Sequence, residues 1–437
     1  MKKIFITLSI SILIFLSATA QTSHRKCGSP VLNTSYEDAF QKMMQKHEQF
    51  ANNRKALTVY NIPVVFHIVH SGQAVGTSLN ISQAQINSQI TVLNQDFRKT
   101  NTDFATTVTQ SAFINAAADC EINFCLAKVS PTGALLAEPG IDRIKCADKG
   151  WTNPPHVDTY IDATIKPASI WDPTNYFNIW VVYMNDGTLG YAQFPDVSPG
   201  IIPITDISGV NGGANTDGVV LDYKATGNTG TATSPYNKGR TATHEIGHWL
   251  GGLWHINGDT NCGDDYCSDT PTQNSLTSGC PSTTGGTSAS GCSGSPNPPG
   301  RMYQNYMDYS DDRCLTMFTS GQKARMQAVM ANCVRRASLA TSTVCAAIGI
   351  EENSSNVYME VYPNPTNGEF YVDITTLDVL DFTISVVNTL GQSIKEVKQV
   401  QSNGGKIKID LSDKNTGVYF VIIKSKLGSK VKRIVLQ

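Results

Sequence analysis

His244-Glu245-Ile246-Gly247-His248-Trp249-Leu250-Gly251-Gly252-Leu253-Trp254-His255 is the stretch that decides how the surrounding chain must fold. On a helix, His244 and His248 project from one face, so both imidazoles can reach one cation. Glu245 sits one residue round the turn, placed to act on a metal-bound water rather than on the metal. Zinc suits this set, because imidazole nitrogen is a good ligand and a catalytic site keeps one position open for water. Gly251 and Gly252 can end the helix and turn the chain, which lets His255 return as a third ligand. The bland alternative is an amphipathic helix with two ordinary histidines and a surface glutamate. The glycine pair, the third histidine and Met307 further on speak against it.

Met307 lies in Asn305-Tyr306-Met307-Asp308-Tyr309. With this segment the chain resembles the metzincin metallopeptidases, and within them the pappalysin family, especially its cytophagalysin branch. The resemblance runs over roughly residues 58–340. It includes Ile86–Asn101, Asn178–Val182 (NIWVV), Leu189–Pro195 (LGYAQFP), Gly239–Leu250 (GRTATHEIGHWL) and Cys262–Pro271 (CGDDYCSDTP). It implies an α+β metzincin-like catalytic domain, a twisted sheet carrying the zinc-binding helix. Met307 would be an apolar floor that does not ligate the metal, and Tyr309 would help stabilise a tetrahedral intermediate.

One departure stands out. The family pattern puts the third histidine where this chain has Trp254, as though one residue were inserted at Gly251-Gly252. A helix would not absorb that shift, since one residue rotates a side chain by about 100°. A glycine turn can. Trp254 cannot substitute, because an indole N–H is a donor only. His255 is therefore retained as ligand.

The parts predict a zinc-dependent endopeptidase. Zinc would acidify a bound water and polarise the scissile carbonyl. Glu245 would act as general base and then general acid, and Tyr309 would share the oxyanion charge with the metal. A zinc-binding pseudo-peptidase or surface adhesin, with a metal site weakened by the shifted His255, is the alternative. A deacetylase is a second, against which stand the Met307 turn and the strand at Leu189–Phe194.

Composition bounds the partners. Lys2-Lys3, the apolar run Ile4–Leu16 and Ala18-Thr19-Ala20 read as a signal peptide over residues 1–20. That run is too short to anchor in a bilayer, and no later stretch is long enough. The net charge of −2 gives no global field for nucleic acid. Charged residues are only 16 %, so the surface relies on Ser, Thr, Asn and Gly, which fits an extracellular protein. Protein or peptide substrates are the expected partners.

Eleven cysteines in an exported chain imply disulfides, with one left unpaired. Cys27 is the odd one, since it precedes the catalytic segment, and ten remain for up to five bridges. The resemblance suggests Cys280–Cys314 and Cys262–Cys292. Residues 21–57 read as a propeptide with a helical patch at Tyr36–Phe50, ending near Arg54-Lys55. A thiolate ligates zinc well, so Cys27 could hold the enzyme latent, and Lys26-Cys27-Gly28-Ser29 resembles the segment so used in relatives. Asp265 and Thr270 are candidates for calcium, a hard cation that prefers oxygen. In relatives that cleave before arginine, the residue ahead of the cysteine equivalent to Cys314 is an aspartate. Here it is Arg313, expected to line the pocket and favour acidic side chains.

The catalytic domain is expected over 58–345. Buried strands are predicted at Tyr60–Val69, Ile122–Ala127 and Ile179–Tyr183. A helix at Ser82–Phe97 is capped by Ser82, and Ser320–Arg336 is a closing helix. Leu189–Phe194 is an edge strand able to pair with extended substrate. His67 and His70, in a strand with no second ligand set, read as structural. A linker over 346–358 leads to residues 359–437, where short alternating strands separated by turn signals describe an all-β sandwich. VYPNPTNGEF, NTLGQSI and GVYFVIIK resemble the C-terminal sorting domain of the type IX secretion system. That implies this secretion machinery as a partner, export across the outer membrane, and release or surface attachment.

Overall fold

A computed structural model describes residues 25–51, 59–197, 213–281, 289–295, 300–345, 357–389, 392–425 and 428–437. The expected signal peptide and the expected propeptide end near Arg54-Lys55 lie outside these residues. Among the described residues no helix is long and apolar enough to cross a membrane.

The chain opens with α1 (Thr34–Ala51), which is longer than the predicted patch and is followed by β1 (Tyr60–His70). Next come α2 (Gln83–Phe97), β2 (Ile122–Leu126), β3 (Ile141–Lys145), β4 (Phe177–Val182), β5 (Gly190–Ala192) and β6 (Val219–Asp222). Three helices complete this part: α3 (Arg240–Gly251), α4 (Ser320–Asn332) and α5 (Val334–Leu339). The sheet order is β2-β1-β4-β6-β5, with β3 also paired to β1. All pairings are parallel except β5 with β6, which is antiparallel. The predicted edge strand is thus at the edge, shorter than expected.

Alternation along β1 sorts the two faces. Ile62, Val64, Phe66 and Ile68 join Ile86, Leu93 and Phe97 of α2 and Ala242, Ile246 and Leu250 of α3 in the main core. Val69 turns to the other face with Trp180, Val182 and Val220. His67 also lies on that face, buried and held by Asp142 (2.9 Å) and Asn178 (2.8 Å), a structural role. Ser82 caps α2 by accepting from the Gln85 amide. The predicted closing helix is broken at Cys333, whose extended backbone separates α4 from α5.

Asp217 ties α5 to α3. Its carboxylate accepts from Arg336 (2.6 and 2.9 Å), Arg335 and the Trp249 indole (3.0 Å). Burial alone would raise the Asp217 pKa, but Arg336 and Arg335 outweigh it and hold the carboxyl below its ordinary range.

Residues 357–437 form five antiparallel strands, β7 (Val357–Tyr362), β8 (Glu369–Asn388), β9 (Ser393–Asp410), β10 (Gly417–Ser425) and β11 (Gly428–Leu436). EFYVDI and FTISVVN, read from the sequence as separate strands, are two halves of the long β8. Its first half pairs β7 and its second half β10, with a register break against β9 between Thr375 and Leu380.

Disulfides join Cys262 to Cys292 and Cys280 to Cys314, the pairs the resemblance implied, and Cys125 to Cys345, which it did not. Three bridges lie within the expected ceiling of five, but the expectation of a single unpaired cysteine is corrected. Cys27, Cys120, Cys146, Cys267 and Cys333 are all unpaired, and all but Cys27 are buried.

Candidate active site

The helix α3 is buried along its whole length, and its C-cap Gly252 adopts φ 53°. This left-handed turn, favoured by glycine, reverses the chain so that His255 comes back over the helix. Nitrogens of His244, His248 and His255 and the Cys27 sulfur all lie within 4.8 Å of one another. Each imidazole is oriented through Nδ1, to Tyr306 O (2.7 Å), to Leu253 O (2.6 Å) and to the Asp259 carboxylate. An Nδ1–H donated outward leaves the Nε2 lone pair facing the shared space. His244 Nε2 and His255 Nε2 are indeed buried with no hydrogen-bond partner. Burial pushes the His244 imidazole well below its usual pKa and His248 to about 3, so both are neutral and able to offer a lone pair. Three converging imidazole nitrogens, two of them without a partner and the third, His248 Nε2, 3.7 Å from the Cys27 sulfur, fit a zinc ion.

Around this point stand the other predicted residues. Met307 is fully buried in the core under α3. The Tyr309 ring lies 5.0 Å from His255 and 5.8 Å from His244, and burial beside Cys27 and Glu245 pushes its phenol up. Glu245 is buried, which raises its carboxyl to about 7 against the hydrogen bonds from Ser29 and Cys27. Its Oε2 accepts from Ser29 Oγ (3.0 Å) and from the Cys27 thiol (3.4 Å). The N-terminal segment extends the sheet. Leu189 N donates to Lys26 O (2.9 Å) and Gly28 N to Gly190 O (2.8 Å), parallel to β5.

Arg313 stands on the surface of the turn before Cys314. Its side chain is 65 % exposed, with Asp311 at 3.9 Å, so it is no buried positive charge. The buried charge belongs to its neighbour Asp312, which receives Arg25 on Oδ1 and the Lys238 and Arg240 amides on Oδ2. Sequence reasoning missed Asp312, Arg25 and Asp259. Only Asp259, one helical turn's spacing from His255, left a local trace. Asp265 is buried, with Oδ1 accepting from Thr270 Oγ1 (2.6 Å) and from the Cys267 amide, while Oδ2 has no partner.

The chain matches the family model described as pregnancy-associated plasma protein-A over residues 159–331 and the secretion system C-terminal sorting domain over 360–437. An extracellular metalloprotease of Colletotrichum graminicola is 31 % identical, with 72 % of this chain and 94 % of that protein covered. Among solved structures, mature mirolysin of Tannerella forsythia in complex with a cleaved peptide is 38 % identical with TM-score 0.54, covering 65 % of this chain and 96 % of that one. Promirolysin from the same organism is 36 % identical with TM-score 0.58, covering 73 % and 98 %. The protein is an extracellular metalloprotease carrying a secretion sorting domain. It belongs to the pappalysin family, that of pregnancy-associated plasma protein-A.

Proposed function

We propose that the protein is a zinc-dependent endopeptidase with His244, His248 and His255 as ligands and Glu245 as proton carrier. The observation that carries this is the convergence of three buried imidazoles beside Glu245 at the edge strand β5, with His244 Nε2 and His255 Nε2 lacking any partner. Zinc bound there supplies a Lewis acid for the scissile carbonyl and the water that attacks it. Glu245 takes the proton at Oε2, the atom that Ser29 and Cys27 now occupy, and delivers it to the leaving amine. Tyr309 donates from its hydroxyl to the carbonyl oxygen as charge develops. Backbone groups of β5, used here by residues 26–29, pair with the substrate chain.

Latency follows from the same contacts. Cys27 stands among the three imidazoles, and Ser29 ties up Glu245, so neither water nor substrate can enter. The Asp312 pocket takes Arg25 and supports a preference for a basic side chain near the scissile bond. Calcium beside the cleft is supported by the unpartnered Asp265 Oδ2. An unchanged melting temperature in a calcium-specific chelator would rule it out.

One experiment tests the function. Activated wild-type and Glu245→Ala enzymes are compared on a peptide library, with cut sites mapped. The wild type should cut internal bonds next to Arg or Lys, and the variant should retain zinc yet lose cleavage by a factor of 10³ or more, on the order of one missing proton carrier. Cleavage surviving in Glu245→Ala would sink the mechanism. Indifference to basic residues would sink the Asp312 pocket.

A further inference from the structure

Arg325 of α4 is buried, its side chain 2 % exposed, and the only carboxylate paired with it among the described residues comes from outside the catalytic segment. Its Nη1 and Nη2 donate to the two oxygens of Glu37 in α1 at 2.6 and 2.9 Å. The Trp254 indole donates to the same carboxylate at 2.9 Å. The guanidinium also holds Gly251 O (3.3 Å) and Gly252 O (2.9 Å), the carbonyls of the turn that brings His255 back. Those carbonyls stay when α1 leaves, but the acceptor for Nη1 and for Trp254 Nε1 does not. Two buried donors, one cationic, are then left converging on the space of one carboxylate, and leaving such groups unmet is costly.

A run of contacts leads from the pocket to the metal position. From Cys27 the N-terminal segment runs along β5, and Tyr36 then donates to Pro195 O (3.1 Å) and packs on Phe194. The Phe194 ring is 5.3 Å from His248. Tyr36 and Phe40 also fill the space over Gly252. Arg25 in the Asp312 pocket precedes Cys27 on this path and Glu37 follows it, so the two charged pockets flank the metal position.

We propose that the Arg325–Trp254 pocket is a subsite of the active enzyme for an acidic side chain. Glu37 fills it in the zymogen, and a glutamate or aspartate of the polypeptide substrate fills it once residues 25–51 are gone. The planar guanidinium, fixed by two backbone carbonyls, offers the paired donors a carboxylate needs. This inference rests on the peptidase reading above.

The test uses enzyme activated from the full-length chain and matched peptides that differ only by Glu or Gln at one position. One position should favour Glu by about tenfold or more in kcat/KM, the range of a charge-assisted hydrogen bond. Each variant's rate on the Gln peptide serves as its own reference, so Trp254→Phe and Arg325→Gln are read as ratios. Both should bring the preference below about twofold, and Trp254→Phe keeps the test alive if Arg325→Gln fails to fold. A second arm measures binding of a fluorescent peptide of residues 32–48, which lacks Cys27, against its Glu37→Gln form. The Gln form should bind about tenfold more weakly. Equal cleavage of Glu and Gln peptides at every position, or a preference that persists in Trp254→Phe, overturns the subsite while leaving the peptidase intact. Failure to cut any peptide overturns the peptidase reading, and the binding arm then decides the pocket: equal affinity of the two 32–48 peptides removes it.

Discussion

Met307 Sδ lies so close beneath Gly247 that a Cβ on this glycine would come within 2.5 Å of the sulfur. The helix bearing His244 and His248 thus rests on the methionine turn with no room for a single methyl. Tyr306, next in chain to Met307, gives its carbonyl to His244 Nδ1. The turn therefore sets both the height of the helix and the orientation of its first imidazole.

Gly247→Ala should force the turn away from α3, at a cost of about 1–3 kcal/mol for an overpacked core. The thermal transition of the catalytic domain should fall, and zinc affinity should fall with it. A variant that melts and binds zinc like the wild type would show that this contact is looser than described.

Metal analysis separates the two candidates for the third ligand. His255→Ala should lose zinc. Trp254→Ala should keep it, because the indole points away from the imidazoles to Glu37. Asp259→Asn should weaken zinc about 10–100-fold by loosening the orientation of His255. Zinc loss confined to Trp254→Ala would mean the chain register after Gly252 is wrong.

The full-length Cys27→Ala chain should be active sooner, or degrade itself during production, whereas Ser29→Ala should release only Glu245. If Cys27→Ala is as silent as the wild type, the inhibitory weight belongs to Arg25 and Glu37, whose buried ion pairs also hold the segment.

Asp217 gives a prediction in pH. Its pKa is lowered in the fold, so its contribution is present above the unfolded carboxyl value of about 3.9 and is lost as pH falls through the folded one. Asp217→Asn leaves buried Arg336 without its counter-charge and should cost about 3–5 kcal/mol at neutral pH. An acid-unfolding series should show the wild type converging on the variant as Asp217 protonates. Parallel curves down to the lowest pH would place the acid sensitivity elsewhere.

What the sequence determined by itself is local. The spacing of His244 and His248, the Ser82 cap, the apolar run of β1 and the Gly251-Gly252 pair each act through a few consecutive dihedrals, so their outcome was legible without the fold. His255 is an intermediate case: a glycine turn was predictable, and the φ of 53° at Gly252 shows how the extra residue was absorbed. The two disulfides near the cleft were legible through family likeness rather than spacing. Tertiary structure alone decided the rest. Cys125 meets Cys345 across 220 residues because β2 and the end of the catalytic segment come together. Asp312 rather than Arg313 faces inward because the turn before Cys314 directs one side chain to the amides at the start of α3 and its neighbour to solvent. Arg25 with Asp312 and Glu37 with Arg325 are pairs nearly the whole catalytic chain apart. Periodicity carries no information about such pairs, because the strength of a buried ion pair depends on where packing brings the two charges and not on their spacing in the chain.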